Sequence, residues 1–406
     1  MFIFLLPVLL LGTVTGSGPS EIAQWRGPSR DGIYPEKNLL SSWPSEGPKL
    51  LWKFENLGKG YSSAAVTSDY VITAGCIDST LVIFCFNHSG KSLWQQKMGP
   101  EWCGDFPGTR STPLICDGLG YMASGLGTIY CFETATGALR WKIDLFRDLD
   151  GRNCRWGFTE NLVIDGNRLF CTPGGNTANV VALDRLTGRV LWKSRGNGEI
   201  SACCSPVIIE RGGRKYFVTK TVHSVISVDA ENGTLAWKYP LEGDTHANIP
   251  LYRDGYLCLM ERTSEESGGV MLKINEDGKS ISEAWRNPYA WTSQGDGVLF
   301  GNILYMYSSG KKKVYGFDWK TGRELFTYPL NTPMLTIIAA EGLLYCYSFN
   351  GEVYLLKPGS DSFVLMGKFT LPGNRKEHCA HPVIRDGKLF FRIDNHLLVY
   401  SVAGTS

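Results

Sequence analysis

The hydrophobic and polar positions of this chain fall into one unit that recurs along its length. In one copy, Val180, Val181 and Leu183 are strand formers that end at Asp184, whose short carboxylate can cap its own turn. Thr187-Gly188 reverses the chain, with the glycine supplying a positive φ, and Leu191-Trp192 begins the returning strand. The same order runs through Cys131-Phe-Glu133, Thr136-Gly137 and Trp141, and again through Ser227-Val-Asp229, Asn232-Gly233 and Trp237. Gly316-Phe-Asp318 leads to Thr321-Gly322, where Phe326 replaces the tryptophan. Looser copies end at Trp94 and Trp285. Ahead of each hairpin lies another strand pair, as in Ser205-Pro206-Val-Ile-Ile before Tyr216-Phe-Val, or His381-Pro382-Val-Ile-Arg-Asp-Gly387 before Leu389-Phe-Phe.

A lone hairpin cannot bury an indole. The aromatic ends at positions 52, 94, 141, 192, 237, 285 and 326 are spaced 41 to 51 residues apart. Four strands in a period of that size predict an all-β chain closed as a propeller, one antiparallel sheet per repeat. The last unit, from His378 to Gly404, holds three strands and no returning Leu-Trp strand, while Leu50-Leu-Trp-Lys-Phe54 supplies one at the other end. Pairing these closes the ring and removes two open edges. The count is then eight blades, or seven if the degenerate unit after Phe326 is not a full blade.

The segments outside the repeats refine this picture. Residues 1–18 are apolar and end in small residues, as in an export signal, although no Lys or Arg precedes the apolar run. A periplasmic or extracellular, monomeric protein without an integral membrane segment in its mature form is expected. Residues 19–48, with Trp25-Arg-Gly-Pro28 and Trp43-Pro44, are expected to form a strap lying along the propeller of residues 49–406. A net charge of +2 without blocks of like charge argues against nucleic acid as the partner. Several of the twelve cysteines interrupt apolar strands, where a thiol behaves as a small hydrophobe. Cys103 and Cys154 lie in successive blade-to-blade connections, where a bridge is conceivable, and Asp148-Leu-Asp150-Gly-Arg-Asn153 reads as a polar loop rather than a calcium loop.

The pattern Ala182, Asp184, Thr187, Gly188, Trp192 resembles the tryptophan-docking motif of quinoprotein propellers. Trp25-Arg-Gly-Pro28, Gly60-Tyr-Ser-Ser63 and Arg155-Trp-Gly-Phe-Thr-Glu160 are similar to segments of the exported PQQ-binding-like β-propeller repeat proteins, whose architecture the barrel-assembly-machinery lipoprotein B shares. The resemblance implies an eight-bladed propeller and leaves function open, because one ring hosts enzymes and scaffolds alike. Quinoprotein dehydrogenases hold PQQ over a calcium ion with oxygen ligands and an aspartate base, and many carry adjacent bonded cysteines beside the quinone. Cys203-Cys204 matches that last feature, but no convincing calcium ligand set accompanies it.

Propellers bind ligands on the axial face, where each innermost strand begins. Here those positions carry Tyr61, Arg110, Trp156, Glu160, Cys203, Cys204, His246, Asn248, Gln294, Asp296, His378 and His381. Arg110 and Glu160 are expected to pair with one another or to hold a charged ligand between them. His378 and His381 have a spacing that suggests a metal, although a loop without a third ligand suits ordinary hydrogen-bonded histidines better. The reading adopted is a non-catalytic binding or scaffolding module without a cofactor, taking an unidentified protein or small molecule. Free thiols are expected at Cys203 and Cys204. The alternative is a small quinoprotein oxidoreductase acting on an alcohol or sugar with PQQ and calcium.

Overall fold

A computed structural model describes residues 21–241, 246–261, 268–293, 295–374 and 377–404, so the expected export signal lies outside the described residues. Eight antiparallel four-stranded blades surround one axis. Their innermost strands are Ala65–Val66, Leu114–Cys116, Val163–Asp165, Val207–Arg211, Leu251–Arg253, Val298–Phe300, Leu335–Ala340 and Val383–Arg385, for blades one to eight. Blade seven is complete, with outer strand Phe363–Thr370, which settles the count at eight. Lys49–Phe54 pairs antiparallel with His396–Ser401, Leu50 opposite Tyr400 and Phe54 opposite Leu397, so the first long strand completes the last blade.

The repeated hairpin folds as its residues dictate. Asp184 Oδ1 accepts from the Thr187 amide at 2.9 Å and from its hydroxyl at 2.7 Å, and Gly188 turns the chain at φ 74°. The glycine has a second role. A Cβ on Gly188 would stand 2.7 Å from the Trp141 ring of the blade before, and the indole Nε1 donates to Arg185 O at 3.0 Å. Trp94 meets Gly137 and Thr134 O in the same way, and Trp285 meets Gly322 and Trp319 O. Each of these indoles therefore docks on the next blade's turn, where a side chain would exclude it, whereas at the corresponding Gly278 turn the neighbour is Tyr216 rather than Trp237. Trp237 is buried, whereas Trp141 and Trp192 are half-buried.

Two features of the ring lie beyond the repeat pattern. A belt of hydrogen bonds runs round the axis just ahead of the innermost strands. Thr112 Oγ1 accepts from Ser63 N, Asn161 Oδ1 from Thr112 N, Ser205 Oγ from Asn161 N, and Asp296 Oδ1 from Ile249 N. In each case a side chain satisfies a backbone donor of the previous blade that burial would otherwise strand. The ring junction carries the second device. Buried Arg392 of blade eight donates to Ala74 O and Gly58 O of the first blade's end, each at 2.8 Å.

The strap corrects the expectation. Residues 39–43 do run along the outside, with Leu40 N bonded to Val402 O and Trp43 N to Met366 O. Residues 22–34 instead enter the axis. Ile22–Ala23 adds antiparallel to the innermost strand of blade two, and Ile33–Tyr34 adds parallel to that of blade seven. Between them the chain meets further blades. Arg30 donates to Asn161 O and Leu162 O of blade three and to Pro206 O of blade four. Arg26 donates to Gly297 O of blade six, and Trp25 reaches His381 of blade eight. This segment is an axial plug. Its two guanidiniums are fully or almost fully buried, and carbonyl oxygens compensate them.

Candidate functional site

On the face where the blade connections lie, a cavity of about 510 Å³ opens above the plug. Connections from successive blades build it: Tyr61 leads into blade one, Phe106 and Arg110 into blade two, Trp156 into blade three, Cys203 into blade four, Asp296 into blade six, and His381 into blade eight. Trp25 contributes the plug's own ring to the lining. Phe106 and Trp156 meet edge to face with centroids 6.1 Å apart, and Arg155 lies 4.7 Å over the Trp156 ring. Arg110 is anchored by donating to Asp105 O at 2.5 Å and to Phe106 O, and burial lowers its pKa against the opposing pull of nearby thiols. The wall thus sets the rings of Trp25, Tyr61, Phe106 and Trp156 and the fixed guanidinium of Arg110 among small and polar residues such as Thr159, Ser205 and Ala247.

The bottom of the cavity is a chain of polar contacts. Trp25 Nε1 donates to His381 Nδ1 at 3.3 Å, and His381 Nε2 lies 3.3 Å from Asp296 Oδ2. That same oxygen is 3.6 Å from Arg26 Nη1. Burial alone would raise Asp296, but Arg26 and His381 outweigh it and hold the carboxyl below its ordinary range. Burial lowers His381, against the opposing pull of Asp296, so the neutral imidazole is favoured.

The twelve residues expected at the axial face divide into groups. Tyr61, Arg110, Trp156, Cys203, Asp296 and His381 line the cavity. Gln294 lies outside the described residues. The others have structural positions outside that lining. Asn248 Nδ2 donates to Gly295 O, and His246 Nε2 contacts Val222 O at 3.1 Å. His378 bonds to Tyr347 Oη through Nδ1 at 2.7 Å, so the two histidines face different partners and form no metal pair. Glu160 and Arg110 do not pair either. Glu160 is buried, accepts from the Thr172 amide at 3.2 Å, and burial raises its pKa to about 8 against the pull of the Thr172 hydrogen bonds and, less, of Arg30. No disulfide joins Cys203 to Cys204, and the buried Cys204 thiol contacts Ser205 O and Asn248 O. Cys103 adjoins Cys76 rather than Cys154, whose sulfur lies 3.7 Å from that of Cys203.

The sequence reading missed Trp25 and Phe106 as lining residues. Trp25-Arg-Gly-Pro was a visible motif, but nothing in its composition says that it enters the axis rather than crossing the outside.

Comparison with known proteins agrees with the propeller fold. Residues 79–254 match the family model described as outer membrane protein assembly factor BamB. The chain is a PQQ-like β-propeller repeat protein. It is similar to the quinoprotein alcohol dehydrogenase PedH of Pseudomonas putida, 27% identical over 39% of this chain and 28% of that one. It is equally similar to the assembly factor BamB of Kangiella koreensis, 27% identical over 34% of this chain and 33% of the relative. The matches therefore span a third or less of these curated relatives. Among solved structures, a europium-containing methanol dehydrogenase superimposes with a TM-score of 0.68 at 9% identity, covering 93% of this chain and 98% of that one. At that identity the likeness shows the fold alone.

PQQ-like repeats raise the question of a quinone over calcium. Calcium takes six to eight oxygen ligands, carboxylates prominent among them. Among the described residues, Asp296 is the one carboxylate on the cavity wall. Its Oδ1 is taken by Ile249 N, and its Oδ2 faces Arg26 and His381. A cation there would stand beside a buried guanidinium. The described residues do not fit a calcium-held quinone.

Proposed function

We propose that this PQQ-like propeller is an exported binding module whose axial cavity receives an aromatic or apolar group bearing a negative charge, presented by a protein partner. One observation carries the reading: Tyr61, Phe106 and Trp156 enclose an open cavity in which Arg110 is a cation held in place by its own backbone contacts. Aromatic walls supply apolar area at small entropic cost, and a fixed guanidinium discriminates for a carboxylate. The likeness to assembly factors supports a protein partner, and the plug supports a module without a cofactor at the axis, since the chain itself occupies that space. The competing reading, a small quinoprotein oxidoreductase, draws on the likeness to PedH.

The test is a calorimetric and tryptophan-fluorescence titration with the peptide Ala-Ala-Phe as the free acid and as the amide. Saturable binding with preference for the acid is expected. Arg110→Gln should remove the preference, and Trp156→Ala should weaken both ligands. Failure of both peptides to bind would refute the ligand class. A calcium-dependent quinone absorbance on adding PQQ would overturn the module in favour of the oxidoreductase.

A further inference from the structure

The connection between blades two and three and the connection between blades three and four each deliver one cysteine to the same spot. Cys154 Sγ and Cys203 Sγ lie 3.7 Å apart, and Cys203 lines the axial cavity. Both are partly exposed, unlike the strand cysteines such as Cys85, Cys131 and Cys171, which have no accessible surface. A disulfide needs about 2 Å between sulfurs, so bridging requires the two side chains and the loops that carry them to close the remaining gap. Arg110 acts electrostatically on both sulfurs and favours a thiolate at either.

We propose that Cys154 and Cys203 form a redox-active dithiol that reduces, by thiol–disulfide exchange, a disulfide substrate entering the axial cavity. The two thiols have different roles. The Cys203 hydrogen bond, ahead of the opposing effect of burial, lowers Cys154 to about 7, whereas Cys203, its hydrogen given to Cys154, is pushed up. As a thiol Cys154 contacts Gly157 O at 3.1 Å, and as a thiolate it accepts from the Trp156 amide and from Cys203. Cys154, partly exposed and 3.7 Å from the cavity-lining Cys203, is the attacking sulfur. Its thiolate displaces one half of the substrate disulfide as a thiolate, leaving a mixed disulfide on Cys154. Cys203 loses its proton and attacks the Cys154 sulfur, releasing the other half. Two electrons pass from the protein dithiol to the substrate, and the two protons end on the two released thiols. The resulting bridge ties two blade connections together at the cavity rim.

The test uses the full chain, reduced and desalted, then equilibrated with graded ratios of oxidised to reduced glutathione. Peptide mapping without reduction should find a 154–203 bridge that dithiothreitol reverses in the folded protein. Cys203→Ser should accumulate glutathione on Cys154, while Cys154→Ser should gain none on Cys203, and both variants should melt within a few degrees of the parent. Iodoacetamide should label Cys154 with a pH midpoint near 7, whereas Cys103 in the same digest serves as the internal comparison. Absence of the bridged peptide at every ratio, or a bridge that resists dithiothreitol in the folded chain, overturns the proposal. Equal trapping by the two variants overturns the assigned roles and with them the mechanism.

Discussion

Glu160 offers a direct test of the axial electrostatics. Its carboxyl is buried beside the plug, yet Arg30 does not neutralise it, because the Arg30 guanidinium is committed to Asn161 O, Leu162 O and Pro206 O. Burial therefore dominates and raises the group from 4.5 to about 8. The sign follows. Between these values the unfolded chain has released the proton and the folded chain still holds it, so stability is fully present below 4.5 and falls as pH rises. The loss is about 1.4 kcal/mol per pH unit, on the order of 4 kcal/mol between pH 5 and 8. Glu160→Gln keeps an acceptor for the Thr172 amide and removes the ionisation. The assay is urea unfolding of both proteins at pH 5.0, 6.5 and 8.0. His378 and His381, both lowered by burial, push the parent's curve the opposite way below about 6.5, so the difference between the two proteins is the quantity to read. The variant should match the parent at pH 5 and exceed it increasingly towards pH 8. Parallel curves, or a variant weakened equally at every pH, would refute the reasoning and make Glu160 an ionised partner of Arg30.

The remaining predictions concern the ring and the plug. Gly188→Ala should destabilise by more than 1 kcal/mol, since it adds positive-φ strain to a methyl 2.7 Å from Trp141, and a neutral effect in thermal unfolding would contradict the docking geometry. Trp192→Ala should cost about 2 kcal/mol, below the range of about 3–5 for a fully buried indole, because Trp192 is half-buried. Arg392→Met should weaken the ring junction by about 1–3 kcal/mol, since Gly58 O loses its donor while Ala74 O keeps the Thr109 hydroxyl, and an unchanged urea midpoint would argue against Arg392 as a closure element. Trp25→Ala should lower the melting temperature and change the fluorescence response to cavity ligands; an unaltered titration would place the ligand elsewhere.

The architecture was legible because a propeller repeats its constraints. Each copy of Asp-x-x-Thr-Gly followed by Trp must satisfy one capping contact and one docking contact, and both are local or one blade away. Closure by Leu50–Phe54 was legible for the same reason, as a unit missing one strand beside a strand missing its unit. Arg392 escaped notice because its partners are carbonyls far away in sequence, Ala74 and Gly58. A single arginine beside Phe391 in an apolar strand gives no sign of which backbone it will satisfy.

The candidate site was legible in position but not in division of labour. Polar residues at the start of innermost strands looked like a concentration of ligand contacts. The structure gives most of that polarity a duty to the ring itself. Asn161, Ser205 and Asp296 accept backbone amides from neighbouring blades, Asn248 holds the next connection, and His378 answers Tyr347. A ring of converging strand starts crowds peptide groups where water is excluded, so side chains with oxygen acceptors are needed there whether or not anything binds. Groups beyond that requirement carry the functional argument: Arg110, the aromatic rings of Tyr61, Phe106 and Trp156, and the Cys154–Cys203 pair. The plug makes this distinction sharp. By filling the axis with Arg26 and Arg30 and bonding them to blade carbonyls, the chain uses the depth of the channel for its own stability and leaves recognition to the rim.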